Sequence, residues 1–183
     1  MADFRLEKIF VRACLLGERV RYHGGDARLE HAILRRWQDE GRLVPLCPEV
    51  SGGLATPRPA AEIAVTPEGR RVLTAAGRDL TRVFERGAEA AAHACASHGI
   101  RIAILKDGSP SCGSRSICDG SFSGKKVDGP GVTAARLRAA GVRIFSESEI
   151  DAANHYLRAL EGKAPGLPEP GAQSESSKPQ KPC

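Results

Sequence analysis

The chain has 183 residues, of which 41% are hydrophobic and 27% are charged, and its formal net charge at pH 7 is +5. This composition is typical of a globular domain that buries most of its apolar surface without disulfide bonds, and it excludes a largely disordered chain. No run approaches the roughly 18 apolar residues that span a bilayer, and the first residues do not form a signal peptide, so we expect a cytoplasmic protein with no membrane partner.

The first elements read as strand, helix and strand. An apolar run predicts a buried strand at 8–14, and the glycine-containing loop after it, 15–25, is expected to face a ligand. Helical spacing of apolar residues predicts a helix between a cap at Asp26 and a stop at Gly41. A second strand is predicted at 43–46.

The middle of the chain gives weaker signals before a long helix. Three prolines within 57–77 argue against a central strand, so we predict an irregular excursion in which 62–65 and 71–73 could pair as a small edge hairpin. Asp79 then caps a long helix that ends near Gly99.

The last part of the domain repeats the alternation. The best strand signal lies at 100–105, and the glycine-rich segment at 119–131 is predicted to be a lid or a substrate loop. The remaining elements are a helix at 133–140, a strand at 142–145 and a helix at 148–160 capped by Ser148. This alternation predicts one α/β domain over 1–162, with a Rossmann-like open, mostly parallel sheet and helices on both faces. Residues 163–183 have almost no apolar side chains and are predicted to form a disordered tail.

The charge distribution and the cysteine content indicate which kinds of partner and ligand to expect. Lys and Arg are scattered along the chain, which favours a solvated basic surface over a specific nucleic-acid site. The chain contains six cysteines, and in a reducing compartment these indicate metal ligation or thiol chemistry rather than disulfide bonds.

Three of the cysteines, Cys14, Cys47 and Cys112, each follow a predicted strand. In an open parallel sheet the loops at the carboxyl ends of the strands converge on one crevice, so we expect these thiols to meet there. The soft metals that suit three thiolates are iron–sulfur clusters, zinc or cuprous copper. Zinc is second choice because the cysteines do not form the paired Cys-x-x-Cys modules of structural zinc sites. With only three thiolates, a four-iron cluster would keep one iron open to a substrate.

Several short motifs, taken in order, resemble a known family. They are Cys14-Leu15-Leu16-Gly17 with Val20-Arg21-Tyr22, Cys47-Pro48-Glu49 with Gly52-Gly53-Leu54 and Pro57-Arg58-Pro59, Ile104-Leu105-Lys106 with Ser109-Pro110-Ser111-Cys112-Gly113, and Asp119-Gly120 with Phe122-Ser123-Gly124. Over about residues 8–147 the chain is similar to the family called domain of unknown function 523, which includes the thiouracil desulfidases.

The resemblance implies a Rossmann-like domain that holds an oxygen-sensitive [4Fe-4S] cluster on Cys14, Cys47 and Cys112. It implies a desulfuration without net redox change, in which the sulfur of a thiolated pyrimidine or related thioamide binds the open iron. Water then replaces the sulfur, so 2-thiouracil gives uracil plus sulfide. The essential carboxylate and hydroxyl of the family correspond to Glu49 and Ser109.

The residues support these roles chemically. A carboxylate two residues past a ligand, as Glu49 is, can act as general acid or base on the attacking water or departing sulfur. Ser109 can orient water or substrate, since Pro110 restricts the turn that follows it. Lys106 could offset negative charge on the cluster or hold the polar edge of the substrate. The substrate-binding candidates are Lys106, Ser111, Arg21 and Tyr22.

Three alternatives remain open from the sequence. Cys118 is close enough to Cys112 to be considered as a fourth ligand, which would remove the open iron. A non-catalytic sensor could use an iron–sulfur cluster or the thiols to regulate a partner, and a zinc-dependent hydrolase is a weaker option. Cys95 is expected to be a core residue of its helix.

Overall fold

The computed structural model describes residues 6–162, and the predicted tail at 163–183 lies outside them. Along the chain the elements are β1 (Ile9–Arg12), a 3-10 helix (Ala13–Leu16), α1 (Ala32–Asp39), β2 (Leu43–Leu46), α2 (Pro48–Ser51), β3 (Ala61–Thr66), β4 (Gly69–Thr74), α3 (Thr81–His98), β5 (Ile102–Leu105), β6 (Ser116–Cys118), β7 (Lys126–Asp128), α4 (Val132–Ala139), β8 (Arg143–Ser146) and α5 (Ile150–Leu160).

The main sheet is parallel and has the order β2-β1-β5-β8. The chain moves outward from β1 to β2 on one side and from β5 to β8 on the other. In such a sheet the crevice for ligands lies beyond the carboxyl ends of the strands, where the order reverses. The predicted parallel α/β fold is therefore confirmed, and the loops after β1, β2 and β5 lie around that crevice.

Strand pleating explains why β1 and β5 are apolar throughout. Successive side chains of a strand point to opposite faces of the sheet. Ile9 and Val11 pack with α1 and α5, whereas Phe10 packs with α3 and α4 on the other face. The sheet is therefore covered on both faces, as parallel sheets require. None of the helices within 6–162 has the length and apolar character needed to cross a membrane.

Three helix starts differ from the prediction. The N-cap of α3 is Leu80, and Asp79, one residue earlier, accepts a hydrogen bond from the Thr81 amide at 2.8 Å. The first helix begins at Ala32 with His31 as its N-cap, because Asp26 instead accepts a hydrogen bond from the Arg28 amide at 3.0 Å in a local turn. The last helix has Glu149 as its N-cap, and the Ser148 hydroxyl pairs with that of Ser146 at 2.8 Å. Short polar side chains favour such turns as readily as caps.

The prediction of an irregular segment at 57–77 is wrong for most of these residues. β3 and β4 pair over six residues as an antiparallel hairpin, longer than the short pairing considered from the sequence. Part of the glycine-rich segment also forms a hairpin, β6 with β7. Neither hairpin belongs to the main sheet, which explains why prolines around β3 do not disturb the core.

Two glycines bring α2 and α3 into close contact beside the crevice. A Cβ added at Gly87 would stand 2.0 Å from the carbonyl oxygen of Pro48, and one at Gly52 would stand 2.2 Å from that of Val83. Pro48 directly follows Cys47. The packing of α3 therefore fixes the backbone that carries this cysteine.

We expect Gly87→Ala to lower the free energy of unfolding by about 1 to 3 kcal/mol, because the added methyl overpacks a backbone contact. Inside a helix the same change ordinarily stabilises by about 1 kcal/mol. The sign of the effect in urea unfolding thus tests the contact. Ser97→Ala at an exposed position of α3 serves as control and should change stability little. A stabilised Gly87→Ala protein would contradict the close packing.

Candidate active site

Three buried cysteines lie at the carboxyl ends of three neighbouring strands. Cys14 is in the 3-10 helix after β1, Cys47 joins β2 to α2, and Cys112 lies in the loop after β5. Their exposed fractions are 1%, 6% and 0%. All three interact electrostatically with Arg12 at the end of β1, and their binding of one shared cluster stays a prediction.

The loop that carries Cys112 is organised by Asp107. The Oδ1 atom of Asp107 accepts hydrogen bonds from the amides of Ser114, Arg115 and Ser116 at 2.9, 3.1 and 3.2 Å. Its Oδ2 atom accepts one from the Ser116 hydroxyl at 3.1 Å. One carboxylate thus closes the loop on both sides of Cys112.

Ser109 lies at the start of the same turn. Its Oγ accepts hydrogen bonds from the amides of Ser111 and Cys112, both at 3.2 Å, and from Nη1 of Arg12 at 3.4 Å. The hydroxyl that the resemblance assigns to catalysis is therefore held beside both a cysteine and a guanidinium. A residue in such a turn has little freedom to rotate.

A carboxylate lies between two guanidiniums at the centre of the site. Arg12 donates from Nη2 to Oε1 of Glu49 at 2.7 Å, and Arg58 donates from Nε to Oε2 of Glu49 at 3.0 Å and also from Nη2. All three side chains are more than 90% buried. Charge-assisted hydrogen bonds of this kind fix both partners in position.

Burial and these charges act in opposite directions on the titrating groups. Burial acts to raise the pKa of Glu49, but Arg12 and Arg58 outweigh it, so the pKa is lowered and the carboxylate is ionised at neutral pH. Burial raises the pKa of the Cys112 thiol to about 11 although Arg12 acts to lower it. The pKa of Cys14 is also raised by burial, against the effect of Arg12 and Arg21. Without a metal the thiols therefore stay protonated.

Arg58 also holds the loop that contains Arg21 and Tyr22. Its Nη2 donates to the carbonyl oxygen of Val20 at 3.0 Å, and its own amide donates to that of Tyr22 at 2.8 Å. Sγ of Cys47 lies 3.9 Å from the same Val20 oxygen. The loop is thus attached to the cysteine site on either side of Arg21, and its contact with a ligand stays a prediction.

Two of the substrate-binding candidates, Lys106 and Ser111, bind partners within the protein. The ammonium of Lys106 forms an ion pair with Glu147, which follows β8 and lies on the side of β5 away from β1 and β2. Ser111 is 1% exposed, and its hydroxyl pairs with that of Thr133 at 2.9 Å. The Ser111 hydroxyl also accepts a hydrogen bond from Sγ of Cys112 at 3.6 Å. Both residues thus have partners within the protein, and their substrate-binding role stays a prediction.

The structure also shows where Cys95 and Cys118 lie, and it bears on the zinc alternative. Cys95 is buried in α3, as expected, and burial raises its pKa to about 11. Cys118 lies in β6, with Sγ 3.9 Å from the carbonyl oxygen of Gly108. Across 6–162 no three His, Cys, Asp or Glu side chains are grouped to hold one metal ion. A zinc ion needs such a group, whereas each cysteine of a cubane cluster binds a different iron.

Sequence reasoning missed three residues that build the site and a fourth that holds the segment beyond β6. Arg12, Arg58 and Asp107 were given no role, and neither was Glu62, a buried carboxylate that accepts hydrogen bonds from the amides of Gly120 and Phe122 at 3.0 and 2.9 Å. The useful signal for Arg12 was a charge inside an otherwise apolar strand. The partners of the others lie up to 60 residues away, and no local pattern indicates them.

Comparison with known proteins agrees with this arrangement. The sequence model of the 2-thiouracil desulfurase family matches residues 9–149, which span β1 to the N-cap of α5 and include every residue of the site. The chain belongs to the 2-thiouracil desulfurase family.

Two similar proteins cover most of the chain. It is 42% identical over 149 residues to the uncharacterized protein YbbK of Bacillus subtilis (strain 168), which spans 78% of this chain and 97% of YbbK. It is 46% identical to a solved structure, the [4Fe-4S]-dependent thiouracil desulfidase TudS, with a TM-score of 0.79 over 84% of this chain and 99% of that one. The relation therefore extends over whole domains.

We expect Asp107→Asn to lower the free energy of unfolding at pH 7 by about 1 to 2 kcal/mol, because one acceptor oxygen and the charge are lost. Partial burial acts to raise the pKa of Asp107, but its hydrogen bonds outweigh this and lower it. The stabilisation is thus complete above the unfolded-state pKa of about 3.9 and is lost as the pH falls through the lower folded-state pKa.

Urea unfolding measured from pH 7 down to about pH 3 checks this dependence. The difference between the wild type and Asp107→Asn should shrink below about pH 4. Asp39→Asn, at an exposed position at the end of α1, is the control. A difference that stays constant over the whole range would show that the ionised carboxylate does not hold the loop.

Proposed function

We propose that this protein is a [4Fe-4S]-dependent desulfidase that converts 2-thiouracil, or a related thioamide, and water into uracil and sulfide. The carbon–sulfur double bond is replaced by a carbon–oxygen double bond, so no oxidant or reductant is needed. The observation that supports the proposal is that three buried cysteines, Cys14, Cys47 and Cys112, each follow one of three neighbouring parallel strands in a chain 46% identical to TudS.

The residues of the site fit such a cluster. Cys14, Cys47 and Cys112 supply three sulfur donors from three separate loops, so one iron would have no protein thiolate. Nε of Arg12 is buried and has no hydrogen-bond partner among the described residues. Sulfur acceptors at the site would satisfy it. When bound, the cluster supplies an iron that attracts the soft sulfur of a thiocarbonyl group.

Glu49 and Ser109 would act on water and substrate. Because Arg12 and Arg58 hold Glu49 ionised, the carboxylate has no proton to donate but can accept one from attacking water, as a weak base because the same charges lower its pKa. This favours the base over the acid among the roles that the sequence left open. Ser109 lies on the opposite side of Arg12 and can orient the water or the pyrimidine.

Arg21 and Tyr22 are the substrate-binding candidates that the fold supports. Their loop is held to the cysteine site through the Val20 and Tyr22 carbonyl groups. The charge of Arg21 acts on Cys14, so this guanidinium lies near the first cysteine. An amphipathic ring such as Tyr22 suits stacking on a pyrimidine.

We expect the anaerobically reconstituted protein to release uracil and sulfide from 2-thiouracil, and Cys112→Ala to lose both the cluster and the activity. Cys95→Ala, which removes a buried thiol from α3, should keep both. Iron and sulfide analysis with chromatography of uracil checks the result. A Cys112→Ala protein that keeps cluster and turnover would refute the site. A wild type that holds the cluster but forms no uracil would favour the sensor.

We expect Glu49→Gln to keep the cluster but to reduce kcat by about 100- to 10,000-fold, the usual loss when a general base is removed. Glu62→Gln is the matched control, because Glu62 is equally buried but binds backbone amides away from the cysteines. Steady-state kinetics checks both variants. An unchanged kcat for Glu49→Gln would remove the assigned role of the carboxylate.

A further inference from the structure

A buried arginine, Arg12, ends the central strand, and the proposed reaction assigns it no chemical step of its own. Arg12 is 3% exposed and is the last residue of β1. Its guanidinium contacts Glu49 and Ser109, and its charge acts on Cys14, Cys47 and Cys112. The three cysteines, Glu49 and Ser109 therefore lie around this one cation.

The charges in the pocket do not balance. Arg12 and Arg58 share one carboxylate, Glu49, so their three charges sum to one positive charge. Burying an uncompensated ion costs several kcal/mol. The pocket is therefore suited to an anion.

The hydrogen bonding of Arg12 leads to the same conclusion independently. Its Nη atoms donate to Glu49 and Ser109, whereas Nε is buried without a partner among the described residues. A buried donor without an acceptor is rare in native proteins, because its desolvation is not repaid. An acceptor within the pocket would remove this cost.

We propose that Arg12 is the counter-ion of the cluster: its guanidinium balances the cluster's negative charge and raises its reduction potential. The inference rests on the proposed function only in requiring that Cys14, Cys47 and Cys112 bind the cluster. A [4Fe-4S] core of charge +2 with three thiolates carries one negative charge, opposite in sign to the summed charge of Arg12, Arg58 and Glu49. Because the reduced cluster is more negative, a nearby cation stabilises it more than the oxidised form.

The test is a redox titration of the reconstituted protein, followed by electron paramagnetic resonance. Arg12→Gln should shift the one-electron equilibrium at least tenfold towards the oxidised cluster, a fall in midpoint potential of about 59 mV. Arg12→Lys keeps the charge and should stay close to the wild type. Glu49→Gln removes a negative charge instead and should raise the potential.

The control is Arg42→Gln, since Arg42 is also buried and ion-paired, but with Glu40 and Glu161. It should leave the potential unchanged. A general structural disturbance would not shift the midpoint potentials of Arg12→Gln and Glu49→Gln in opposite directions. If Arg12→Gln does not fold or retain the cluster, the midpoint potentials of Arg12→Lys and Glu49→Gln still test the inference.

An unchanged potential in Arg12→Gln, or in Glu49→Gln, would overturn the inference, as would shifts of the same sign in both. A wild type that binds no cluster would overturn both this inference and the proposed function. A wild type that binds the cluster but leaves 2-thiouracil intact would overturn the proposed function alone, because the potential can still be measured.

Discussion

The ion pair between Arg12 and Glu49 is the contact on which the site depends. It joins the end of β1 to α2, and through Arg58 it extends to the loop after the 3-10 helix. Removing one partner of a buried pair costs about 3 to 5 kcal/mol, because the other charge remains buried without compensation. The same charges that could bind and polarise a ligand therefore also hold the loops in place.

The loops of Cys47 and Cys112 are held in two different ways, and a third contact holds the segment that follows them. The backbone after Cys47 is fixed by glycine contacts between α2 and α3. The Cys112 loop is closed by Asp107, and the segment beyond β6 is attached to β3 by Glu62. A site assembled from rigid elements in this way keeps its donors in position before any ligand arrives.

The sequence predicted the parts of this protein that depend on local pattern. The apolar runs of β1, β2, β5 and β8 and the three cysteines after the first three of these strands follow from periodicity and strand-end geometry. The roles of Arg12 and Arg58 could not be predicted in this way, since they depend on which carboxylate is adjacent in space. The β3–β4 hairpin was considered only as a short pairing within an irregular segment, because prolines argue against a central strand, whereas here they flank the paired residues.

Charge at the site links ligand binding to stability. Without an anion, the pocket keeps one guanidinium uncompensated and one buried donor without a partner in the described part of the chain. Any group that binds the folded chain and not the unfolded one stabilises it by mass action. An anionic ligand would do so by removing both costs at once. The loops that carry Cys14, Cys47 and Cys112 would then be most stable when the site is filled, so cofactor binding and loop order depend on the same contacts.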